Sequence, residues 1–162
     1  MASDSYMVQL VLDGMQETEA LARTLAGVLR RGDFIALAGA LGAGKTTLAR
    51  CIVQTLVPGE DVPSPTFTLV QAYDAPGLRL AHADLYRLKT EREIVELGFD
   101  EALEAGVLVV EWPDRMGSLM PADRLDVILE VDDGVEERRV KLIGRGSWAQ
   151  RLRDLRRRGE VA

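Results

Sequence analysis

The chain has 162 residues, 47% of them apolar, enough to bury one hydrophobic core and few for two domains. A net charge of −6 at pH 7 excludes broad, non-specific nucleic-acid binding over the whole surface, so any contact with RNA needs a local basic patch. The single cysteine, Cys51, cannot form an internal disulfide; with no signal-peptide pattern at the N-terminus and no apolar run near the ~20 residues of a membrane span, a cytoplasmic protein is expected.

In chain order, Met7 to Leu12 alternates and predicts a strand, followed by a helix whose Leu21, Leu25 and Leu29 share one face. Phe34 to Ala38 is an apolar run of the right length for a buried parallel strand. Residues 39 to 46 then read Gly-Ala-Leu-Gly-Ala-Gly-Lys-Thr, and Leu48, Ala49, Ile52, Val53 and Leu56 recur at helical spacing behind them. Pro58-Gly59 stops that helix, and Val62-Pro63-Ser64-Pro65 forces an extended loop. Phe67 to Tyr73 and Leu78 to Asp84, joined by the turn Ala75-Pro76-Gly77, predict a hairpin. Residues 90 to 104 predict a helix broken near Gly98, and Val107 to Val110 a central strand ending in Glu111. Arg124 to Val131 and Glu137 to Ile143 alternate around Asp132-Asp133-Gly134, a closing antiparallel hairpin. From Ser147 the pattern is helical again, with Trp148, Leu152 and Leu155 on one side. The expected fold is an α/β three-layer domain over residues 1–146, with a mixed, mainly parallel central sheet and antiparallel hairpin additions, followed by a basic C-terminal helix over 147–162.

Residues 39 to 46 match the phosphate-cradling pattern G-x-x-x-x-G-K-[ST] between a strand and a helix, which makes the domain P-loop NTPase-like. Gly39, Gly42 and Gly44 let backbone N–H groups turn inward on an anion, and the helix that follows adds its dipole. Lys45 can reach the outer phosphates and the Thr46 hydroxyl can ligate Mg²⁺. Hydrolysis or transfer also needs acids, and two end strands: Glu111, laid out as a Walker-B acid, and Asp84. Thr66, in the proline-stiffened Ser64-Pro65-Thr66-Phe67, lies where a γ-phosphate-sensing threonine would, although a simple turn explains the same residues. His82 is the only histidine, which excludes a multi-histidine metal site and suits a residue that orients Asp84 or makes a structural hydrogen bond. These residues admit an ATPase, or a small-molecule or nucleotide kinase with Arg87, Arg92 or Arg115 over the transferred phosphate. A GTPase of the Ras type is disfavoured, because its guanine-selecting Asn-Lys-x-Asp needs asparagine and the chain has none.

Four motifs in order resemble the TsaE (YjeE) family: Leu41-Gly42-Ala43-Gly44-Lys45-Thr46-Thr47, then Ser64-Pro65-Thr66-Phe67, His82-x-Asp84-x-Tyr86-Arg87 and Glu111-Trp112-Pro113. The resemblance covers residues 7 to 143 and departs at Ala40, where the family usually carries an acid. It implies an ATPase that works with TsaB and TsaD in making threonylcarbamoyladenosine on tRNA, without forming that bond itself. On the same resemblance, residues 41 to 47 hold ATP, Thr46 and Glu111 hold Mg²⁺, Asp84 supports hydrolysis and Thr66 senses the γ-phosphate. Trp112 is either a core residue or a stacking surface. Outside the matched stretch, Arg145, Arg151, Arg153, Arg156, Arg157 and Arg158 read either as a solvated terminal helix or as a basic amphipathic helix that docks its apolar side on the domain and offers its arginines to tRNA or an acidic partner, removable after Gly146 without loss of ATP binding.

Overall fold

The computed structural model describes residues 4–131 and 137–161. They form β1 (Ser5–Asp13), α1 (Met15–Ala26), β2 (Phe34–Gly39), α2 (Lys45–Leu56), β3 (Val70–Ala75), β4 (Leu78–Asp84), α3 (Glu91–Val95), α4 (Phe99–Ala105), β5 (Gly106–Glu111), β6 (Arg124–Val131), β7 (Glu137–Arg145) and α5 (Ser147–Arg157). A 3₁₀ segment, Pro113–Leu119, leads from β5 toward β6. The strands make one seven-stranded sheet in the order β1-β7-β6-β2-β5-β4-β3. Its centre is parallel, with β2 between β5 and β6 and β4 beside β5. Both edges are antiparallel, β3 on β4 at one side and β7 then β1 beyond β6 at the other.

Strand alternation divides the core into two layers. Ile35 and Leu37 of β2 and Val107 and Val109 of β5 face α1, α2 and α5, where Leu25, Leu48, Ile52 and Trp148 belong to the same apolar cluster. Phe34, Ala36, Leu108 and Val110 point the other way, against Ile94, Phe99 and Met116. This phase decides where the acids go. Glu111 follows Val107 and Val109 onto the α2 side, and His82 and Asp84 follow Leu80, while Ala81 and Ala83 take the opposite face.

Three expectations change. The helix expected to include Leu29 stops at Ala26, where the N–H of Gly27 bonds back to Arg23, so Leu29 packs from a following turn. The strand expected from Phe67 begins at Val70, because Leu69 adopts a φ of 67° and donates to the carbonyl of Pro65, closing a turn over residues 65–69. Trp148, Leu152 and Leu155 of α5 lie in the main cluster with α1 and α2, so the C-terminal helix docks its apolar side on the domain as expected. Arg151, expected on a basic surface, is buried and pairs through both terminal nitrogens with Asp33, at 2.6 and 2.7 Å, just before β2. The turn Asp132-Asp133-Gly134 lies outside the described residues.

Candidate functional site

The glycine-rich loop runs from the end of β2 to the start of α2. Gly39 is required by close packing, because a Cβ there would stand 2.5 Å from the carbonyl oxygen of Leu129 on β6. Gly44 takes a left-handed φ of 107° and begins α2 with no side-chain cap, leaving the N-terminal N–H groups directed at the loop. By contrast α3 is capped by the Thr90 hydroxyl, which accepts from the N–H of Glu93. Ala43 is buried and anchors the loop in the core, whereas Leu41 is 78% exposed at its tip.

Lys45 is 4% exposed. Its ammonium donates to the carbonyls of Gly39 (2.7 Å) and Ala40 (2.9 Å) and lies 4.0 Å from the centroid of the Trp112 ring. Burial holds its pKa below the ordinary lysine value, against the opposing pull of Glu111, Asp84 and Asp114. Trp112 thus meets neither expectation alone: partly buried, with a left-handed φ of 59°, it roofs Lys45 and packs 4.9 Å from the Tyr86 ring.

Glu111 is buried and both its oxygens are engaged. Oε1 accepts from the Thr46 hydroxyl at 2.7 Å, and Oε2 lies 2.6 Å from Nε2 of His82. With its proton given to Glu111, the Thr46 oxygen keeps lone pairs for a cation. Of the two roles expected for His82, the structure shows a structural hydrogen bond, made to Glu111 and not to Asp84, because His82 sits diagonally across the β4–β5 register from Glu111. Asp84 lies directly opposite Glu111; its Oδ1 accepts from the N–H of Tyr86 at 2.9 Å and its Oδ2 faces the Thr66 hydroxyl at 3.4 Å. The Thr66 hydroxyl is also 2.7 Å from that of Ser64.

Lys45, Thr46, Thr66, Asp84, Glu111 and Trp112 share one cavity of about 260 Å³ with the loop glycines Gly42 and Gly44 and with Leu41 and Thr47. None of Arg87, Arg92 and Arg115 lines it, and Arg87 stacks over Phe67 instead. Among the described residues, no group of three or more His, Cys, Asp or Glu side chains is arranged to hold a metal alone. Hard oxygens from Thr46 and the two acids fit Mg²⁺, which keeps several waters and takes phosphate oxygens as further ligands. A second cavity of about 180 Å³ shares Gly44 and Thr47 with the first and is walled by Leu12, Met15, Leu48 and Leu129. Sequence reasoning missed it, because its walls come from four separate elements and only the shared loop residues belong to a motif.

Comparison with known proteins bears on these features. The family model "Threonylcarbamoyl adenosine biosynthesis protein TsaE" matches residues 12–140. Among its relatives, the tRNA threonylcarbamoyladenosine biosynthesis protein TsaE of Rickettsia felis is 42% identical over 126 residues, 76% of this chain and 73% of that one. The Bacillus subtilis protein of the same name is 36% identical over 138 residues, 85% of each chain. The crystal structure of Bacillus subtilis YdiB superposes with a TM-score of 0.82 at 28% identity, covering 98% of this chain and 99% of that one. With the family model matched over most of its length and relatives similar across most of theirs, this chain belongs to the TsaE family of threonylcarbamoyl adenosine biosynthesis proteins.

Proposed function

We propose that this protein binds Mg·ATP in the loop cavity and hydrolyses it slowly, in support of threonylcarbamoyl transfer to tRNA by a TsaB–TsaD complex. The observation that carries the ATPase reading is the convergence of Lys45, Thr46, Asp84 and Glu111 on one cavity at an uncapped helix N-terminus. The loop N–H groups and Lys45 would hold the phosphates, with Lys45 exchanging its two carbonyl partners for phosphate oxygens. Thr46 and Glu111 would hold Mg²⁺, which when bound offsets charge on the outer phosphates. Asp84 would orient the attacking water, and Thr66, tethered to it, would read the γ-phosphate position. The apolar cavity beyond Gly44 and Thr47 is where the base would lie. The partners come from the family resemblance alone.

The test is calorimetric ATP titration with and without Mg²⁺, beside steady-state turnover. Glu111→Gln should remove the metal-dependent part of binding, whereas Asp84→Asn should keep binding and slow turnover. Normal turnover in both variants would overturn the assignment. Transfer of labelled phosphate to an added hydroxyl or phosphate acceptor would favour a kinase instead, a reading weakened by the lack of arginine along the cavity. Recovery of TsaB and TsaD with the protein from its native cytosol, in the presence of ATP, tests the partnership.

A further inference from the structure

His82 is 0% exposed on β4, and among the described residues its ring makes one hydrogen bond: Nε2 to Oε2 of Glu111 at 2.6 Å. Its Nδ1 is buried with no hydrogen-bond partner among the described residues. An ionised carboxylate only accepts, so Nε2 carries a proton and donates it to Glu111. As packing this is a poor choice, since an apolar side chain among Leu80, Val107 and Val109 would bury no orphaned nitrogen. The site gains geometry from it. Glu111 has two rotatable bonds beyond its Cβ and a buried cation nearby in Lys45, whose charge it feels. A carboxylate held at Oε2 by His82 offers Oε1 to Thr46; released, it can rotate about those bonds and leave the Thr46 hydroxyl without its acceptor.

We propose that His82 is a positioning residue for the cation site, its Nε2–H fixing the Glu111 rotamer in which Oε1 takes the Thr46 proton and the Thr46 oxygen is left free for the metal. The proposal rests on the Mg·ATP reading given above. It predicts a loss confined to the metal-dependent part of binding, because the hydrogen bond of the His82 ring goes to Glu111 and not to the loop or to Lys45.

The experiment follows Mn²⁺ binding in the presence of ADP by electron paramagnetic resonance, together with ADP affinity in Mg²⁺ and in EDTA. His82→Leu should weaken Mn²⁺ binding by roughly 10-fold or more, the usual consequence of losing a residue that holds a metal ligand. Its affinity for ADP in EDTA should stay within about 2-fold of the unmodified protein, since the phosphate contacts are untouched. His82→Gln, whose amide nitrogen reaches the level of Nε2, should restore most of the metal affinity. His82→Asn, whose amide stops at the level of Nδ1, should not, and this polar pair replaces the leucine variant if that one fails to fold. Unmodified metal affinity in the leucine or asparagine variant, or equal weakening in EDTA, would overturn the positioning role alone. Absence of any cation-dependent binding in the unmodified protein would instead overturn the Mg·ATP reading, and the role of His82 with it.

Discussion

A lysine buried to the extent of Lys45 weakens the fold it belongs to, since desolvation pulls its pKa down further than Glu111, Asp84 and Asp114 push it up. The unfolded chain then binds this proton more readily than the folded one. The cost is fully present at pH values below the lowered folded pKa and shrinks as pH rises from there toward the ordinary value of 10.5. Lys45→Met is therefore expected to raise the melting temperature of the ligand-free protein at neutral pH while nucleotide affinity falls by ~10-fold or more. Thermal melts from pH 7 to pH 10 should show the gap between the two proteins closing. A variant less stable than the unmodified protein throughout would show that the lysine's attraction to its carboxylates dominates. Lys45 and Thr46 were legible in the sequence because one strand-loop-helix unit fixes their spacing. The partner of His82 was not, since Glu111 lies 29 residues away and meets it only through the β4–β5 register.

Among the elements, α5 departs most from its sequence pattern. Its apolar stripe was readable from Trp148, Leu152 and Leu155, but its arginines resemble one another in sequence and differ in the fold. Arg151 reaches Asp33 and the carbonyl of Val28 and stacks 4.0 Å from the Trp148 ring, whereas Arg153 pairs with Asp4 and Arg156 with the Tyr6 hydroxyl at the surface. Removing one member of a buried pair leaves the other charge uncompensated, so Arg151→Ala should cost about 3–5 kcal/mol. Urea denaturation measures it, and a loss under 1 kcal/mol would mean that water reaches Asp33. The same packing reverses the expectation for truncation after Gly146. Loss of three core side chains, each worth about 1.5–3 kcal/mol, together with the Arg151–Asp33 pair at about 3–5 kcal/mol, is comparable with the whole roughly 5–15 kcal/mol that holds a domain folded, so any ATP binding should be lost with the fold.

For the molecule as a whole, the alternating strand and helix pattern made the layers and the parallel centre legible, because unbroken apolar runs such as Val107 to Val110 need cover on both faces. Sheet order was less so. The pairing of β1 with β7 joins the two ends of the chain, and nothing in either strand's alternation names its neighbour. No helix of the described residues is long and apolar enough to cross a membrane. If the cavity binds Mg·ATP, occupancy stabilises the fold by mass action: ligand at 100 times its dissociation constant adds about 2.7 kcal/mol. At this chain length that corresponds to a rise of roughly 5–10 °C in melting temperature. Replacing Mg²⁺ with EDTA should shrink the rise, and an equal rise in both would argue against a cation at Thr46 and Glu111.

The Arg151–Asp33 clasp grips the chain one residue before β2 begins, while Gly39, where the loop departs, closes the same strand. At about 3.3 Å per residue, β2 sets the two points roughly 20 Å apart, on opposite ends of the sheet. A tether attached through the outer face of α5 would thus leave the cavity mouth turned toward bulk solution, an orientation suited to immobilised binding measurements in which a large partner must approach unobstructed.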